Sequence, residues 1–358
     1  MNYICTWLCA DEKGEESLFP QTGQLSSSKS HQDIYWRCLL LFYISSKRFN
    51  KTEQHLLFTN LSSIPDVDGR DVGEMLSALG VRVIHTDFKY KTPKGYYGSF
   101  QNQFYEFSIL EEISATFRQP DDLYLIVDSD CVFLKPAAPL FSAAAAKNGF
   151  ISFRDDVKPG YVINGLSRYD LKELYEDIMG RQLSEMPDYH LGEFLLASAG
   201  NINKFFFDFR ELWPRLIERH KRGQKKFNEE AHTLSFLYFK NGFRAEQQNR
   251  FMKRIWTNPL FYRNVSPGDV SLALWHLPSE KTFGLRELYD ALIGEPGFGA
   301  ALTDEQYVKL AQDTLGVPHL SFFRRLKYYR LSYYRALKKR VKRTRPALQS
   351  VNIKTSAA

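Results

Sequence analysis

A chain of 358 residues, 44% hydrophobic and 25% charged, has the make-up of a soluble globular protein and is long enough for one large domain or two ordinary ones. That balance excludes an intrinsically disordered chain, and no stretch is apolar for long enough to span a bilayer or to act as a signal peptide. The 48 basic and 41 acidic residues give a net charge of +7, but no Asp or Glu follows Asp313, and twelve Lys and Arg lie between Ser321 and the end. The body is therefore mildly acidic, and the basic character belongs to the tail.

Tyr3 to Ala10 reads as a first strand, and the Ser- and Gly-rich run from Gly14 to Ser30 as a loop. Gln32 to Phe49 carries Ile34, Tyr35, Cys38, Leu39 and Phe42 at helical spacing. His55 to Asn60 reads as a strand, Asp71 to Leu79 as a short helix closed by Gly80, and Val81 to His85 as a third strand. Phe100 to Ala115 is helical. Leu123 to Val127 is then an apolar run typical of a strand buried on both faces. The first 136 residues thus alternate β-α-β-α-β-α-β, which predicts a parallel sheet.

Past Pro136 the alternation loosens. Gly149 to Phe153 reads as a strand, Leu166 to Met179 as a helix, and Tyr189 to Ala197 as a strand with or without a leading turn. Lys204 to Lys221 reads as a helix that Pro214 should kink or split. Asn228 to Lys240 is helical, while Phe243 to Gln247 and Val270 to His276 read as strands. Thr303 to Gln306 forms a capping box for a helix closed by Gly316 and Pro318. Ser321 caps a second helix with Phe322, Leu326, Tyr329, Tyr333, Leu337 and Val341 on one stripe, and residues 345–358 read as a disordered end. Cys5, Cys9, Cys38 and Cys131 match no zinc or redox spacing and read as reduced core thiols.

The chemistry concentrates where the Leu123–Val127 strand ends, at Asp128-Ser129-Asp130. On extended backbone, residues two apart point the same way, so two carboxylates would meet at the carboxyl end of a buried strand, where open α/β sheets bind ligands. They repel unless a cation lies between them. The plainer reading of any D-x-D is a turn whose side chains cap backbone amides. His276 and Lys281 form a second polar cluster after a later predicted strand.

Residues Leu123 to Pro136 resemble the metal-binding segment of GT-A-fold glycosyltransferases, and most nearly that of glycosyltransferase family 8 and its uncharacterised bacterial relatives. Those enzymes share the β-α-β-α-β-α-β order and a later His that completes the metal site, with a Lys for the diphosphate a few residues on. In family 8 a Gly usually lies between these two and Pro-Trp follows; here Pro278 and Ser279 lie between them and Thr282-Phe283-Gly284 follows.

The resemblance implies a GT-A, Rossmann-like α/β fold with a mostly parallel central sheet and a C-terminal helical extension. The expected divisions are 1–300 for the transferase domain (1–136 binding nucleotide, 137–300 completing donor and acceptor sites), 301–344 for the C-terminal helices and 345–358 for the tail. The implied activity is transfer of a sugar from a nucleotide-sugar, with UDP-sugars first, to a glycan or lipid-linked acceptor in cell-surface polysaccharide or glycolipid synthesis. The implied metal ligands are Asp128, Asp130 and His276. Asp128, Lys281, Thr6, Asn60 and Gln103 are the donor-binding candidates, and Glu229 and Glu230 the catalytic candidates. One imidazole among carboxylates suits Mn²⁺ somewhat better than Mg²⁺. Glu229 and Glu230 also fit the ordinary preference of acidic residues for a helix N-terminus, and Gly192-Glu193 is expected on the acceptor side.

The basic amphipathic segment 321–343 fits the surface of an anionic membrane, and equally a helix packed on the body. The expected location is cytoplasmic, with peripheral attachment through this segment and no nucleic-acid partner. Two other classes stay open on the sequence: a phosphatase of the haloacid dehalogenase type, and a non-catalytic protein that binds membrane or RNA through its tail.

Overall fold

The computed structural model describes residues 1–334 apart from 17, 20–21, 117–118, 155–156 and 247–249. The expected disordered end, and the part of the basic segment after 334, lie outside the described residues.

Strand β1 (Asn2–Leu8) leads through a small hairpin, β2 (Leu18–Phe19) and β3 (Gln24–Leu25), into helix α1 (Lys29–Phe49). The hairpin replaces part of the expected loop. Ser28 accepts from the His31 backbone N–H and so starts α1 three residues earlier than its apolar spacing indicates. Strand β4 (Gln54–Thr59) follows, then a two-residue pair, β5 (Asp66–Val67) and β6 (Arg70–Asp71). Next come α2 (Val72–Ala78), β7 (Val81–His85) and α3 (Tyr105–Thr116). Strand β8 (Leu123–Val127) is wholly buried, and β9 (Cys131–Phe133) follows after the two acids.

The main sheet has the order β10-β11-β8-β1-β4-β7, where β10 is Phe150–Ile151 and β11 is Phe194–Ser198. The four strands β8, β1, β4 and β7 are mutually parallel, as the alternation predicts. Strand β11 runs antiparallel to β8, and β10 antiparallel to β11. The chain steps outward from β1 to β4 and β7, then returns to place β8 on the other side of β1. Adjacent connections therefore diverge at the carboxyl ends of β1 and β8, which opens a crevice there.

Each face of the sheet is covered. Ile4, Leu57 and Leu125 pack with Trp36, Leu39 and Phe42 of α1. Cys5, Leu56, Tyr124 and Ile126 point the other way, towards Phe107 of α3 and towards Phe205 and Phe209 of the later helix α6 (Ala199–Lys221). The Phe107 and Phe209 rings stack with centroids 3.7 Å apart. Burial of one such side chain contributes about 1.5–3 kcal/mol, so this alternation of faces fixes the register of the strands. All four cysteines are buried and free, as their spacing predicts.

Between the main sheet strands lie α4 (Ala138–Ala145) and α5 (Arg168–Met179), the latter opened by a Ser167–Asp170 capping box. Helix α6 is one 23-residue helix with Pro214 inside it. The expected split does not occur: Phe209, Leu212 and Leu216, on either side of the proline, are all in the core, and that burial outweighs the lost backbone hydrogen bond. Helix α7 (Glu230–Lys240) follows. Phe243 to Gln247 is not a strand among its described residues; Glu246 makes a single bridge to Phe153. Strand β12 (Met252–Arg254) and β13 (Leu274–His276) form a second sheet in the order β12-β13-β9. The expected strand from Val270 is shortened because Pro267–Ser271 is a 3-10 turn held by Ser266 and Asp269.

Helices α8 (Gly284–Ile293) and α9 (Asp304–Leu315) close the structure over α1, with Leu288, Tyr307 and Leu315 against Cys38 and Leu41. Residues 322–334 form one more helix, α10.

Candidate metal and nucleotide-sugar site

The two sheets bring together groups far apart in the chain. Asp128 and Asp130 leave the buried end of β8. Strand β9 then pairs antiparallel with β13 in a register that sets His276 opposite Cys131, the neighbour of Asp130. The Leu277 N–H donates to the Asp130 carbonyl at 3.1 Å and fixes this approach. His276 Nε2 lies 3.2 Å from Asp130 Oδ2 and 3.6 Å from Asp128 Oδ2. One ligand atom from each of the three residues fits within a span of 4.8 Å. The imidazole nitrogen and the two carboxylates thus converge, with both His276 and Lys281 paired to Asp130. That donor set, one imidazole and two carboxylates, fits a divalent cation.

The other ring nitrogen shows how the imidazole is aimed. His276 Nδ1 lies 3.2 Å from Glu193 Oε1, and Arg254 holds both Glu193 oxygens at 2.7 and 2.5 Å. A carboxylate behind a ligating histidine sets its tautomer and ring orientation. Glu193 thus supports His276 and also lines the cavity beside it. Arg254 reaches it from β12, directly beside His276 in the parallel β12–β13 pair.

Lys281 is buried and pairs with Asp130 Oδ2, its ammonium 5.5 Å from the centre of the Tyr35 ring. Burial alone would raise the Asp130 carboxyl, but Lys281 and His276 outweigh it and hold that group well below its ordinary range. Burial, reinforced by the Asp130 charge, pushes Asp128 up to about 6. His276 is pushed up to about 9: burial opposes its charge, but Asp130 and Glu193 prevail. At neutral pH the two carboxylates and the two cations, His276 and Lys281, nearly balance, and a metal bound there would displace the His276 proton.

A cavity of about 240 Å³ opens beside this cluster, lined by Asp128, Asp130, His276, Lys281, Glu229, Glu230 and Gln103. All the expected site residues except Thr6 and Asn60 are on its wall. Thr6 is fully buried inside β1, and Trp7, Leu8 and Cys9 line the cavity in its place. Asn60 bonds both backbone groups of Ala10, accepting at 2.8 Å and donating at 2.9 Å, so it shapes the turn after β1 without entering the cavity.

Across the cavity, the start of α7 carries Glu229 and Glu230, 3% exposed each. Glu229 accepts from Tyr189 at 2.8 Å and from Asn164, and burial pushes it up to about 7. Glu230 is held well above the carboxylate range by burial, then by Glu229 and Glu106. Gln103, with its amide nitrogen turned inward, donates to Glu230 at 3.1 and 3.0 Å. Gly192 permits this approach, since a Cβ there would stand 2.7 Å from Glu230 Oε1. Asn164 and Tyr189 were not foreseen, although Asn164-Gly165 is a turn dipeptide, and both residues have positive φ, 43° and 84°.

No protein-family model matches the chain, and no curated protein matches it in sequence. Solved structures similar to it include the galactosyltransferase LgtC in complex with donor and acceptor sugar analogues, at 13% identity and a TM-score of 0.48, with 84% of this chain and 99% of that one aligned. Mouse xyloside xylosyltransferase 1 aligns over 77% of this chain and 97% of its own, at 12% identity and a TM-score of 0.42.

The cavity has two chemically distinct sides. One gathers Asp128, Asp130, His276 and Lys281, suited to a cation and an anionic group that it bridges. The other presents buried carboxylates, a carboxamide and a phenol, suited to the hydroxyls of a neutral polar ligand. Trp7, Tyr35, Phe100 and Trp256 add aromatic wall to the cavity.

Proposed function

We propose that this chain is a metal-dependent glycosyltransferase that moves a sugar from a nucleotide-sugar, with UDP-sugars first, to a glycan or lipid-linked acceptor. The observation that carries this reading is the convergence of Asp128, Asp130 and His276 beside Lys281, on the wall of a cavity whose far side holds Glu229 and Glu230. Asp128, Asp130 and His276 Nε2 would hold the cation, Mn²⁺ before Mg²⁺. Bound there, it supplies Lewis-acid neutralisation of the charge that a departing diphosphate gains.

The chain's own groups do the rest. Lys281 is proposed to add a point charge on the diphosphate. Glu193 and Arg254 keep the His276 ring turned. Gln103 and Glu230 are proposed to orient the donor sugar, and Glu229 to face its reacting end. A phosphatase of the haloacid dehalogenase type needs an aspartate free to attack phosphorus; here both aspartates face His276 and one is held by Lys281, which favours the cation-binding role. The test of the reading is whether sugar-nucleotide binding requires a divalent cation; binding indifferent to the cation would count against it.

We also propose that the acceptor is reached at an anionic membrane surface, in keeping with synthesis of cell-surface polysaccharide or glycolipid. No helix among the described residues is long and apolar enough to cross a membrane. Helix α10 nevertheless leaves Phe322, Phe323, Leu326, Tyr333 and Tyr334 exposed, with Arg325, Lys327 and Arg330 among them. Aromatics that enter an interface beside cations that meet lipid headgroups give binding that weakens with salt. The full chain is expected to sediment with anionic vesicles and to be released by high salt. Replacing Phe322 and Phe323 with Ser is expected to weaken binding by about tenfold. Equal binding to neutral vesicles would contradict the membrane reading.

A further inference from the structure

Glu280, the residue before Lys281, has a fully buried carboxylate. Its Oε1 accepts from Thr257 Oγ1 at 2.9 Å, and its Oε2 accepts from the Gly284 backbone N–H at 2.8 Å. Oε2 also lies 2.7 Å from Arg324 Nη2. Arg324 belongs to α10, the helix whose neighbouring Phe322, Phe323 and Arg325 are exposed, yet Arg324 itself is only 5% exposed. Its guanidinium donates to the Thr314 carbonyl and lies 4.7 Å over the centre of the Phe283 ring.

Two glycines make room for it. A Cβ on Gly284 would stand 3.0 Å from Arg324 Nη2 and collide with Glu280 Oε2, and a Cβ on Gly316 would stand 2.9 Å from Arg324 Nε. Helix α10 is further held by Tyr328 against Phe283, ring centroids 5.0 Å apart, and by Lys327 at 3.1 Å from Glu287. A buried ion pair gains little stability over an apolar filling of the same space. Its distinctive property is directional: it fixes where each partner lies. The Glu280 backbone also organises the turn, with its N–H on the Leu277 carbonyl at 3.0 Å and its carbonyl accepting from Phe283 and Leu285 at 2.9 and 3.0 Å. Lys281 projects from the middle of that turn into the cavity.

We propose that Arg324 is a positioning residue for Lys281: by holding the Glu280 carboxylate, helix α10 sets the turn that aims the Lys281 ammonium at the donor diphosphate. The C-terminal helix is then an arm of the nucleotide site, joined to it at one buried charge. This rests on the reading of Lys281 as a diphosphate ligand. A small displacement of a charged group at such a site is enough to lose most of its effect.

The test measures binding of UDP and of uridine to the full chain with Mg²⁺ by calorimetry. Uridine lacks the phosphates and does not meet Lys281, so it reports on the rest of the pocket. Arg324→Met is expected to weaken UDP by about tenfold and leave uridine unchanged, and Arg324→Lys, which keeps the charge without the planar fork, to weaken UDP by about threefold. In a Lys281→Met background, Arg324→Met is expected to change UDP affinity by less than about twofold, since the residue acts through the missing lysine. Equal weakening of uridine, unchanged UDP affinity, or an undiminished loss in the Lys281→Met background overturns the proposal. If Arg324→Met does not fold, Arg324→Lys with the same two ligands decides. Lys281→Met alone separates the two levels: if it leaves UDP affinity intact, the diphosphate role of Lys281 fails, whatever Arg324 does.

Discussion

Asp130→Asn is expected to lower sugar-nucleotide turnover by about a thousand-fold, the scale of several kcal/mol of lost charge stabilisation. The substitution keeps the size of the side chain and leaves an oxygen that can accept from Lys281, so the cluster stays filled. What disappears is the negative charge that two cations share, Lys281 and the His276 ring. It is also one of the two carboxylates proposed to hold the metal. Removing one partner of a buried pair costs about 3–5 kcal/mol when nothing replaces it, and the retained amide oxygen should limit that loss. A melting curve alongside the turnover assay separates lost chemistry from lost folding. Excess Mn²⁺ should recover part of the activity. A folded Asn variant with turnover within about threefold of the unaltered chain would remove Asp130 from the site.

Glu229→Gln is expected to change both rate and stability, in opposite senses. The carboxylate is buried beside Glu230 and pushed up to about 7. The folded state therefore holds its proton more tightly than the unfolded state, in which the group titrates near its ordinary value of 4.5. Its contribution to stability is complete below about 4.5 and is lost as the pH rises through about 7. Glutamine is neutral throughout. The variant should match the unaltered chain at pH 4.5 and exceed it at pH 8, by roughly 3 kcal/mol if the whole shift is expressed. Turnover should fall by about a hundred-fold, and the activity limb that rises towards pH 7 should disappear with the carboxylate. Denaturant melts at the two pH values and a pH–rate profile check this together. A variant that is less stable than the unaltered chain at pH 8, or that keeps the rising limb, assigns the titration to another group.

The sequence exposed the parts of this site that rest on long-range burial and on local backbone rules. Strand β8 is five consecutive buried residues, so its apolar run and its abrupt end at Asp128 were legible. The Thr303 and Gly316 caps were legible because each satisfies its helix end with its own atoms. Strand β13 was expected, though from Val270 rather than Leu274, whereas β9 and β12 have three residues each, too short for any periodicity, and exist because they pair with it. That pairing brings Arg254 beside His276, while Glu193 arrives from just before β11 in the main sheet, so the support behind the imidazole could not be read in advance. Thr6 failed for a related reason. Strand β1 continues to Leu8, so the cavity is lined by its last two residues, Trp7 and Leu8, and by Cys9, and Thr6 lies one residue too deep. Asn60 was correctly located near the strand ends, but its amide is used by the Ala10 backbone.

The central claim is that a divalent cation at Asp128, Asp130 and His276 ties a nucleotide-sugar's diphosphate to this chain. The most direct measurement is the melting temperature of the full chain against UDP-, GDP- and CDP-sugars, each with Mn²⁺ and with the metal chelated. A ligand that binds only the folded state raises that temperature, and one present at a hundred times its Kd stabilises by about 2.7 kcal/mol. At least one nucleotide-sugar is expected to raise the melting temperature with Mn²⁺, by more than Mn²⁺ alone, and to lose that effect on chelation. No shift with any of them, or a shift that survives chelation unchanged, would contradict the claim.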